Sequence, residues 1–303
     1  MGAPSFSDTR SVPSGVRAPE RPVLRVALVC CPDLPFGGAD RHALTEACRE
    51  RHIELTPVVW SRADVNWTQF DALLCLYVKD YSFRLSSFRA WLAERQRQGA
   101  VLLNDAELLR YGMDKGYLID LRDEGLDMIT TVLRPAHART PGPFAANATV
   151  VVKPRLGGGG RGLQLHSVAE WRPPSEDVLV QLYEPTVAER GELSVICVEG
   201  QPLGCVRRSA ADGEFRVQEE YGGQACAEPL EEPAERAARK VLSLLPSQPL
   251  YCRVDLWDRP DGRWLLAGAE LLQPDLHLRL LDGSADVLAA ALRRRLAGSV
   301  ITD

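Results

Sequence analysis

Short apolar segments alternate with amphipathic segments along residues 23–110, and this alternation constrains the fold more than any other feature. Strand-like runs occupy residues 23–29, 53–60, 70–77 and 101–103, and helical spacing occupies residues 39–51 and 87–99. Strands that are apolar on both faces are typical of a parallel sheet covered by helices. The pattern therefore predicts an α/β lobe over residues 23–110.

The pattern changes after residue 110. Helical spacing over residues 113–124 is followed by a strand at 130–134, and strands dominate beyond residue 150, with helices at 233–245 and 285–296. The expected strands there read VVVKP, GLQLHS, VLVQLY, GELSVICVEG, QPLGCVRRS and EFRVQEEY. We expect an N-terminal α/β lobe (23–110) followed by two α+β lobes, a central one (111–185) and a C-terminal one (186–303). Residues 1–22 are polar and rich in Pro, Ser and Gly, which is typical of a disordered leader.

Composition excludes some partners. The formal net charge of −5 over 303 residues gives no basic footprint of the kind that nucleic-acid binding needs. No apolar stretch approaches the roughly 18 residues that span a bilayer, so a membrane partner is not expected. Eight cysteines are scattered without a C-x-x-C pair, and several lie in apolar runs. Buried, reduced thiols of a cytoplasmic protein are the expectation.

Four consecutive glycines, residues 157–160, lie between Lys153 and Arg161. Glycine lets backbone N–H groups approach a ligand closely, so such a loop can cradle phosphates. It is not a P-loop, because no Gly-Lys-Ser/Thr follows. Lys153 lies in an apolar strand, and an unpaired buried ammonium is costly enough to need an anionic partner. The alternative is a flexible hairpin loop without a ligand.

An acidic pair is predicted from hairpin register. If the turn is centred on residues 261–262, Asp255 faces Gly268 and Arg253 faces Glu270. Asp255 and Glu270 then share one face of the sheet as diagonal neighbours, about 7–8 Å apart between backbone positions. Two carboxylates at that separation can bind one Mg²⁺ that also holds phosphate oxygens. The alternative is a pair of strands linked by salt bridges to arginines.

A third cluster contains Arg207, Arg208, Arg216, Gln218, Glu219 and Glu220, with Gly222 and Gly223 close by in the chain. Arginines at the ends of two facing strands can bind a carboxylate or phosphate through two parallel hydrogen bonds. The alternative is a solvated, charged hairpin.

In their order along the chain, these features resemble those of ATP-grasp enzymes. The motif residues are Lys115, Lys153 before the glycine run, Glu184 at the end of a hinge strand, Asp255 in an Arg-Val-Asp strand, and Glu270. The resemblance covers nearly the whole chain after the leader. Within the superfamily, the segments EFRVQEEYGG and YCRVDLW…AELLQPDLHL are similar to those of small bacterial amino-acid ligases typified by a cycloserine-forming cyclo-ligase.

The resemblance implies a nucleotide sandwiched between two antiparallel sheets, with ATP and Mg²⁺ as cofactors. It implies nucleotide contacts from Lys115, Lys153, Gly158, Gly159, Gly160, Arg161, Gln181, Leu182, Tyr183, Glu184 and Glu192. Asp255 and Glu270 would bind the metal, and Arg207, Arg208 and Arg216 would contact the transferred phosphoryl group or the substrate carboxylate. Gly268 and Gln273 depart from the group, where glutamates are usual.

The function that the resemblance implies is a carbon–nitrogen ligase of secondary metabolism, such as antibiotic biosynthesis. A small amino-acid-type carboxylate becomes an acylphosphate, and a nitrogen of the same or a second molecule attacks it. Homo-oligomers are common among such enzymes. Two alternatives stay open: a nucleotide-binding protein that has lost ligase activity, and a ligase for a peptide or carrier protein, with a broad open groove instead of a small closed pocket.

Overall fold

The computed structural model describes residues 22–299, so the predicted leader lies outside the described residues except for Pro22. Within that range the chain forms one parallel and two antiparallel sheets. The strands are β1 (Leu24–Cys30), β2 (Ile53–Val59), β3 (Ala72–Tyr77), β4 (Leu102–Leu103), β5 (Thr131–Arg134), β6 (Thr149–Pro154), β7 (Gln164–Ser167), β8 (Val178–Leu182), β9 (Glu192–Val198), β10 (Gln201–Ser209), β11 (Gln224–Glu228), β12 (Tyr251–Asp258) and β13 (Trp264–Glu270). The α-helices are α1 (Arg41–Arg49), α2 (Leu85–Arg97), α3 (Ala106–Met113), α4 (Tyr117–Asp123), α5 (Thr186–Arg190), α6 (Glu232–Ser243) and α7 (Ser284–Ser299).

The first lobe is a four-stranded parallel sheet in the order β2-β1-β3-β4. Side chains alternate across it: Leu28 and Leu74 enter one hydrophobic core, and Val29 and Cys75 enter the other. All four are fully buried, which explains why the strands read as continuous apolar runs. The predicted α/β fold of this lobe is confirmed.

The central lobe carries the antiparallel sheet β5-β8-β6-β7. One helix was predicted over residues 113–124, but the structure starts α4 only at Tyr117; an unpredicted helix, α3, ends at Met113, and residues 114–116 separate the two. Asp114 forms an isolated bridge with Leu156, and the Lys115 amide donates to the Arg155 carbonyl at 2.9 Å. Pairing with the start of the glycine loop therefore competes with the helix, and it brings Lys115 beside that loop.

The third sheet has the antiparallel order β11-β10-β9-β12-β13. One face packs against α6, through residues such as Val195 and Val254. The other face is polar and presents Ser194, Arg253 and Asp255, which are buried. This sheet therefore separates a hydrophobic core from a buried layer of charged side chains.

The end of the chain returns to the first lobe, where α7 packs on α1. Asn104 fixes the two parts by donating to the carbonyls of Tyr251 (2.8 Å) and Leu271 (2.9 Å). Its side-chain oxygen accepts the Leu250 amide at 2.6 Å. The first lobe is thus held rigidly against the five-stranded sheet.

Among residues 22–299, no helix is both long and apolar enough to cross a membrane. The eight cysteines all lie in that range as free thiols, and seven of them are buried, including Cys30, Cys75, Cys197 and Cys252 as predicted.

Candidate functional site

A cavity of about 360 Å³ lies between the central antiparallel sheet and the polar face of the five-stranded sheet. The first lobe closes one side of it through Leu34, Gly38 and Tyr77. Most of the predicted site residues line this cavity: Lys115, Lys153, Gly158, Gly159, Gly160, Arg161, Gln181, Tyr183, Glu184, Glu192, Arg208, Arg216, Asp255 and Glu270. Segments that are distant in sequence therefore converge on one space.

Two lysines supply positive charge to the cavity wall. Burial lowers the pKa of Lys153 to about 8, and the nearby Lys115 lowers it further while Glu192 opposes the shift. Burial also lowers the pKa of Lys115, whose ammonium donates to the Gly157 carbonyl. Within residues 22–299 neither ammonium forms an ion pair with a carboxylate. Two desolvated cations side by side favour the binding of a polyanion such as a triphosphate.

The glycine loop closes over the cavity. Gly160 has a φ of 68°, and a Cβ atom there would lie 2.6 Å from the Gln218 side chain. Only glycine combines this left-handed backbone with so close a contact. Arg161 holds the loop to the first lobe, since it donates to the Lys79 carbonyl at 3.1 Å and lies over the Phe83 ring at 4.9 Å.

A buried ionic network occupies the floor. Arg253 donates to both oxygens of Asp255, at 2.8 and 2.9 Å, and Arg208 lies 3.0 Å from the same carboxylate. Ser194 donates to Asp255 at 2.7 Å, and Arg208 also pairs with Glu192. Burial alone would raise the pKa of Asp255, but Arg208 and Arg253 outweigh it and lower that pKa to about 2. Asp255 is therefore ionised at any physiological pH.

Oxygen atoms suited to a hard cation lie close to this network. The predicted pairing is confirmed at the site, where Asp255 faces Gly268 and Arg253 faces Glu270. No hydrogen bond or ion pair engages the Glu270 carboxylate within residues 22–299. The side-chain oxygen of Gln273 is buried in the described structure without a hydrogen-bond partner. Free carboxylate and amide oxygens on a cavity wall fit a Mg²⁺ ion.

Two predicted residues lie outside the cavity lining. Arg207 follows the opposite face of β10 from Arg208, because successive strand residues alternate, and it donates to Asp258 (2.8 Å) and Glu228 (3.2 Å). Leu182 packs into an apolar cluster with Trp257. The assignment of Arg207 to the reacting groups therefore needs correction, and a nucleotide contact from the Leu182 side chain is not supported.

Arg216 reaches the cavity from a different element than predicted. The expected strand over residues 214–221 is wrong, since the only regular element there is a 3₁₀ turn at Glu219–Tyr221. Arg216 pairs with Glu214 and lies 3.6 Å from the centre of the Tyr221 ring. Polar and apolar residues alternate in EFRVQEEY as they do in a strand, but the side chains of Glu214, Arg216 and Tyr221 contact one another instead.

Sequence reasoning missed the contribution of the first lobe. Gly38 follows β1 and Tyr77 ends β3, and both line the cavity. Ligands of open parallel sheets bind beyond the carboxyl ends of the strands, and this rule gave a signal for both positions. His277 and Gln218 also line the cavity; both lie in segments that carry the family resemblance, but neither was assigned a role in the site.

Two family models match the chain. The N-terminal domain of D-cycloserine synthetase DcsG matches residues 26–104, and the ATP-grasp domain of prokaryotic glutathione synthetase matches residues 143–253. The first match covers the lobe with the parallel sheet, and the second runs from the central sheet into the five-stranded sheet. The chain is a ligase with an ATP-grasp domain. The predicted superfamily, fold class and general enzyme class are therefore confirmed.

Individual proteins give the same result. The cycloserine biosynthesis protein DcsG of Streptomyces lavendulae is 29% identical over 281 residues, which is 85% of this ATP-grasp chain and 94% of the relative. A crystal structure of D-cycloserine synthetase DcsG superposes with a TM-score of 0.74 at 24% identity, covering 90% of this chain and 99% of the other. D-alanine–D-alanine ligase of Bacillus anthracis superposes with a TM-score of 0.57 at 14% identity, covering 91% and 98%. These superpositions show a shared fold.

Proposed function

We propose that this ATP-grasp protein is a carbon–nitrogen ligase that uses ATP and Mg²⁺ to activate a small amino-acid-type carboxylate as an acylphosphate. The observation that carries the proposal is that two desolvated lysines, Lys115 and Lys153, line one cavity together with the glycine loop. Lys115 and Lys153 would contact the phosphates, and Gln181, Tyr183 and Glu184 would lie along the nucleoside. The metal would be held by Glu270, with Asp255 and the Gln273 amide oxygen, and it would neutralise phosphate charge.

The reaction has two steps. An oxygen of the substrate carboxylate attacks the γ-phosphorus of ATP, and the bond to the ADP oxygen breaks. A substrate nitrogen then attacks the acyl carbon, the bond to phosphate breaks, and the nitrogen loses a proton. No nucleophilic side chain is required, so the chain contributes positioning and charge.

Arg208 is the arginine that the geometry supports best for contacting the transferred group. It is 4% exposed, lines the cavity, and belongs to the same network as Asp255. Arg216 lines the cavity from its loop, where Glu214 already pairs with it. We therefore propose a role for Arg208 in charge stabilisation, and for Arg216 in binding the substrate.

Exclusion of water is the task of the glycine loop. Acylphosphates hydrolyse readily, so a ligase needs a closed site. The loop is fixed by Arg161 to the first lobe and reaches Gln218 on the C-terminal side. A cavity of about 360 Å³ also favours a small substrate over a peptide or a carrier protein.

The substrate that we propose is an amino-acid derivative that is either cyclised or joined to a second amino acid. The similarity to the Streptomyces lavendulae cycloserine biosynthesis protein supports a cyclisation reaction in antibiotic biosynthesis. Such a reaction belongs in the cytoplasm, where ATP is available.

The test combines ADP release with mass spectrometry of the products. The purified protein receives ATP, Mg²⁺ and a panel of amino acids that includes O-ureido-D-serine. We expect ADP formation that depends on one amino acid, together with a cyclised or condensed product. Lys153→Met should abolish ADP formation, whereas Arg207→Ala should retain it because Arg207 lies outside the cavity.

A second candidate function is nucleotide binding without ligase activity. One observation favours it: every oxygen of Asp255 already accepts a hydrogen bond from Arg253, and Arg208 and Ser194 crowd the same carboxylate. Gly268 opposite Asp255 also adds no carboxylate. Tight ATP binding without turnover on any member of the panel would support this function and exclude the ligase.

A further inference from the structure

A cluster of potential hydrogen-bond acceptors lies on the side of the cavity that the first lobe closes. One ligand atom from each of Glu219, Asp275 and His277 lies within 4.8 Å of the other two. All three residues line the cavity. The cluster is joined to the first lobe because Arg279 bridges Asp275 and Asp40, at 3.1 Å from each.

His277 is the member that points to a ligand. It is 2% exposed, and within the described structure neither ring nitrogen makes a hydrogen bond; Nδ1 lies 3.6 Å from the Asp275 carboxylate. Burial lowers its pKa to about 4; Asp275 opposes this, and Arg253, Arg208 and Arg279 add to it. The neutral ring therefore offers one acceptor nitrogen and one N–H donor. A buried polar group without a partner is uncommon, and a ligand in the cavity would satisfy it.

The charge of this region favours a cation. Arg279 is the shared partner of three carboxylates: Asp40, Asp275 (each at 3.1 Å) and Glu219 (2.5 Å). Burial, and then Asp275, raise the pKa of Asp40, and hydrogen bonds from Arg279 oppose the shift. Arg253 offsets part of the negative charge, since together with His277 and Arg279 it outweighs burial and lowers the pKa of Asp275. Its guanidinium, however, pairs directly with Asp255 and donates to the backbone carbonyl of Asp275.

The chemistry of the cluster favours a protonated amine over a metal ion. With the Asp275 carboxylate beside Nδ1 of His277, the ring N–H can point to Asp275 and leave Nε2 as an acceptor for an ammonium. Arg279 already occupies the carboxylates of Asp275 and Glu219, which leaves less room for a metal shell than for one added hydrogen bond to each.

We propose that Glu219, Asp275 and His277 form the subsite for the protonated amino group of the substrate. The subsite adjoins the reacting end of the cavity, because Arg253 contacts both Asp255 and the Asp275 carbonyl. A molecule held there by its amino group presents its carboxylate toward the phosphates. This inference rests on the proposed function, which supplies an amino-acid-type substrate for the same cavity.

The test measures discrimination for the amino group directly. D-serine, L-serine and their des-amino analogue 3-hydroxypropanoate are titrated by calorimetry into the protein saturated with Mg²⁺ and a non-hydrolysable ATP analogue. We expect wild type to prefer a serine over the analogue by about 10–100-fold, as charged hydrogen bonds predict. Glu219→Gln and His277→Gln should each reduce this preference about tenfold and leave nucleotide affinity unchanged.

Glu220→Gln is the matched control. Glu220 neighbours Glu219 but pairs with Lys79, so the variant should keep the wild-type preference for the amino group. Wild type without such a preference, or variants at 219 and 277 that keep it, would overturn the subsite. Specific Zn²⁺ binding that Glu219→Gln and His277→Gln both remove would also overturn it.

The same samples separate this proposal from the proposed function. ADP release with an unchanged amino-group preference in both variants leaves the ligase in place and removes the subsite. Serine binding that needs Glu219 and His277, without turnover on any amino acid, leaves the subsite in place and removes the ligase.

Discussion

Replacing Lys153 with methionine should stabilise the ligand-free protein while abolishing its response to nucleotide. Burial lowers the pKa of this ammonium from 10.5 to about 8, so the folded state disfavours its charged form. At about 1.4 kcal/mol for each pKa unit, the destabilisation at pH 7 is about 3 kcal/mol. Because Lys153 faces the cavity, water screens part of its charge, and we expect a measured gain of about 1–2 kcal/mol. This gain corresponds to a few degrees in Tm.

The pH dependence has a definite sign. The unfolded chain keeps Lys153 protonated up to about pH 10.5, whereas the folded protein releases the proton near pH 8. Between these values the unfolded state binds more protons, so the stability of wild type rises with pH relative to the variant. The stability advantage of Lys153→Met is therefore complete below pH 8 and vanishes as the pH approaches 10.5.

The assay is urea unfolding at pH 7 and pH 10, with and without a non-hydrolysable ATP analogue and Mg²⁺. A ligand at 100 times its Kd should stabilise wild type by about 2.7 kcal/mol, and Lys153→Met should lose most of this effect. Lys240→Met is the matched control, since Lys240 lies on the exposed side of α6 and its ammonium donates to the Gly125 carbonyl. If Lys153→Met is no more stable than wild type at pH 7, or if its advantage persists at pH 10, the electrostatic reasoning is wrong.

Three further predictions use matched or single substitutions. Arg208→Ala should lower kcat by about 10²–10³-fold in the ADP-release assay, whereas Arg207→Ala should stay within a few-fold of wild type; equal losses would contradict the assignment. Gly191→Ala should destabilise by more than about 3 kcal/mol in urea, because its φ is 74° and its Cβ would lie 2.3 Å from a backbone carbonyl. Gly213→Ala has a similar φ of 78° but open space around the Cβ, so about 1–2 kcal/mol is expected. Asn104→Ala should cost about 2–4 kcal/mol by leaving buried backbone groups unpaired, and a smaller loss by calorimetry would count against its role between the lobes.

The first lobe could be predicted because its strands are apolar on both faces. Such runs have one stable environment, a parallel sheet between two helical layers. Leu28 and Val29 enter different cores, so every position of the run has to be apolar. The break between α3 and α4 had no such signal, since it depends on pairing of Asp114 with Leu156.

The register of the β12–β13 hairpin was predicted correctly beside the cavity, but the type of turn that joins the two strands was predicted wrongly. Asp-Gly predicted a two-residue turn, but the Arg259 amide donates to the Arg263 carbonyl at 2.9 Å around a three-residue loop. A bulge after Asp255 compensates by one residue, so Asp255 still faces Gly268. The turn was wrong and the pairing at the site was right, because the bulge restores the register on which the polar face depends.

The acceptor cluster at Glu219, Asp275 and His277 was not predicted as a site. Its members lie in EFRVQEEYGG and AELLQPDLHL, two of the segments that carry the family resemblance, but nothing in their spacing shows that these segments meet in space. Chain order indicated the phosphate end of the cavity because lysines and glycines there have characteristic neighbours. The other end of the cavity is formed by contacts between lobes, such as that of Arg279 with Asp40. The sequence of one segment alone does not indicate such contacts.

The buried network of Arg208, Glu192, Asp255 and Arg253 is better explained by binding than by folding. Desolvating four charges costs about as much as their pairing returns, and an apolar layer of the same volume would serve stability at least as well. The opposite face of the same strands shows such a layer, packed against α6. Successive strand residues point to opposite faces, so polar and apolar residues can alternate along one strand. The four charged side chains of the network therefore lie on the face that lines the cavity. The charges are therefore held at fixed positions beside Glu270, where an incoming polyanion and its cation need partners that do not have to reorganise.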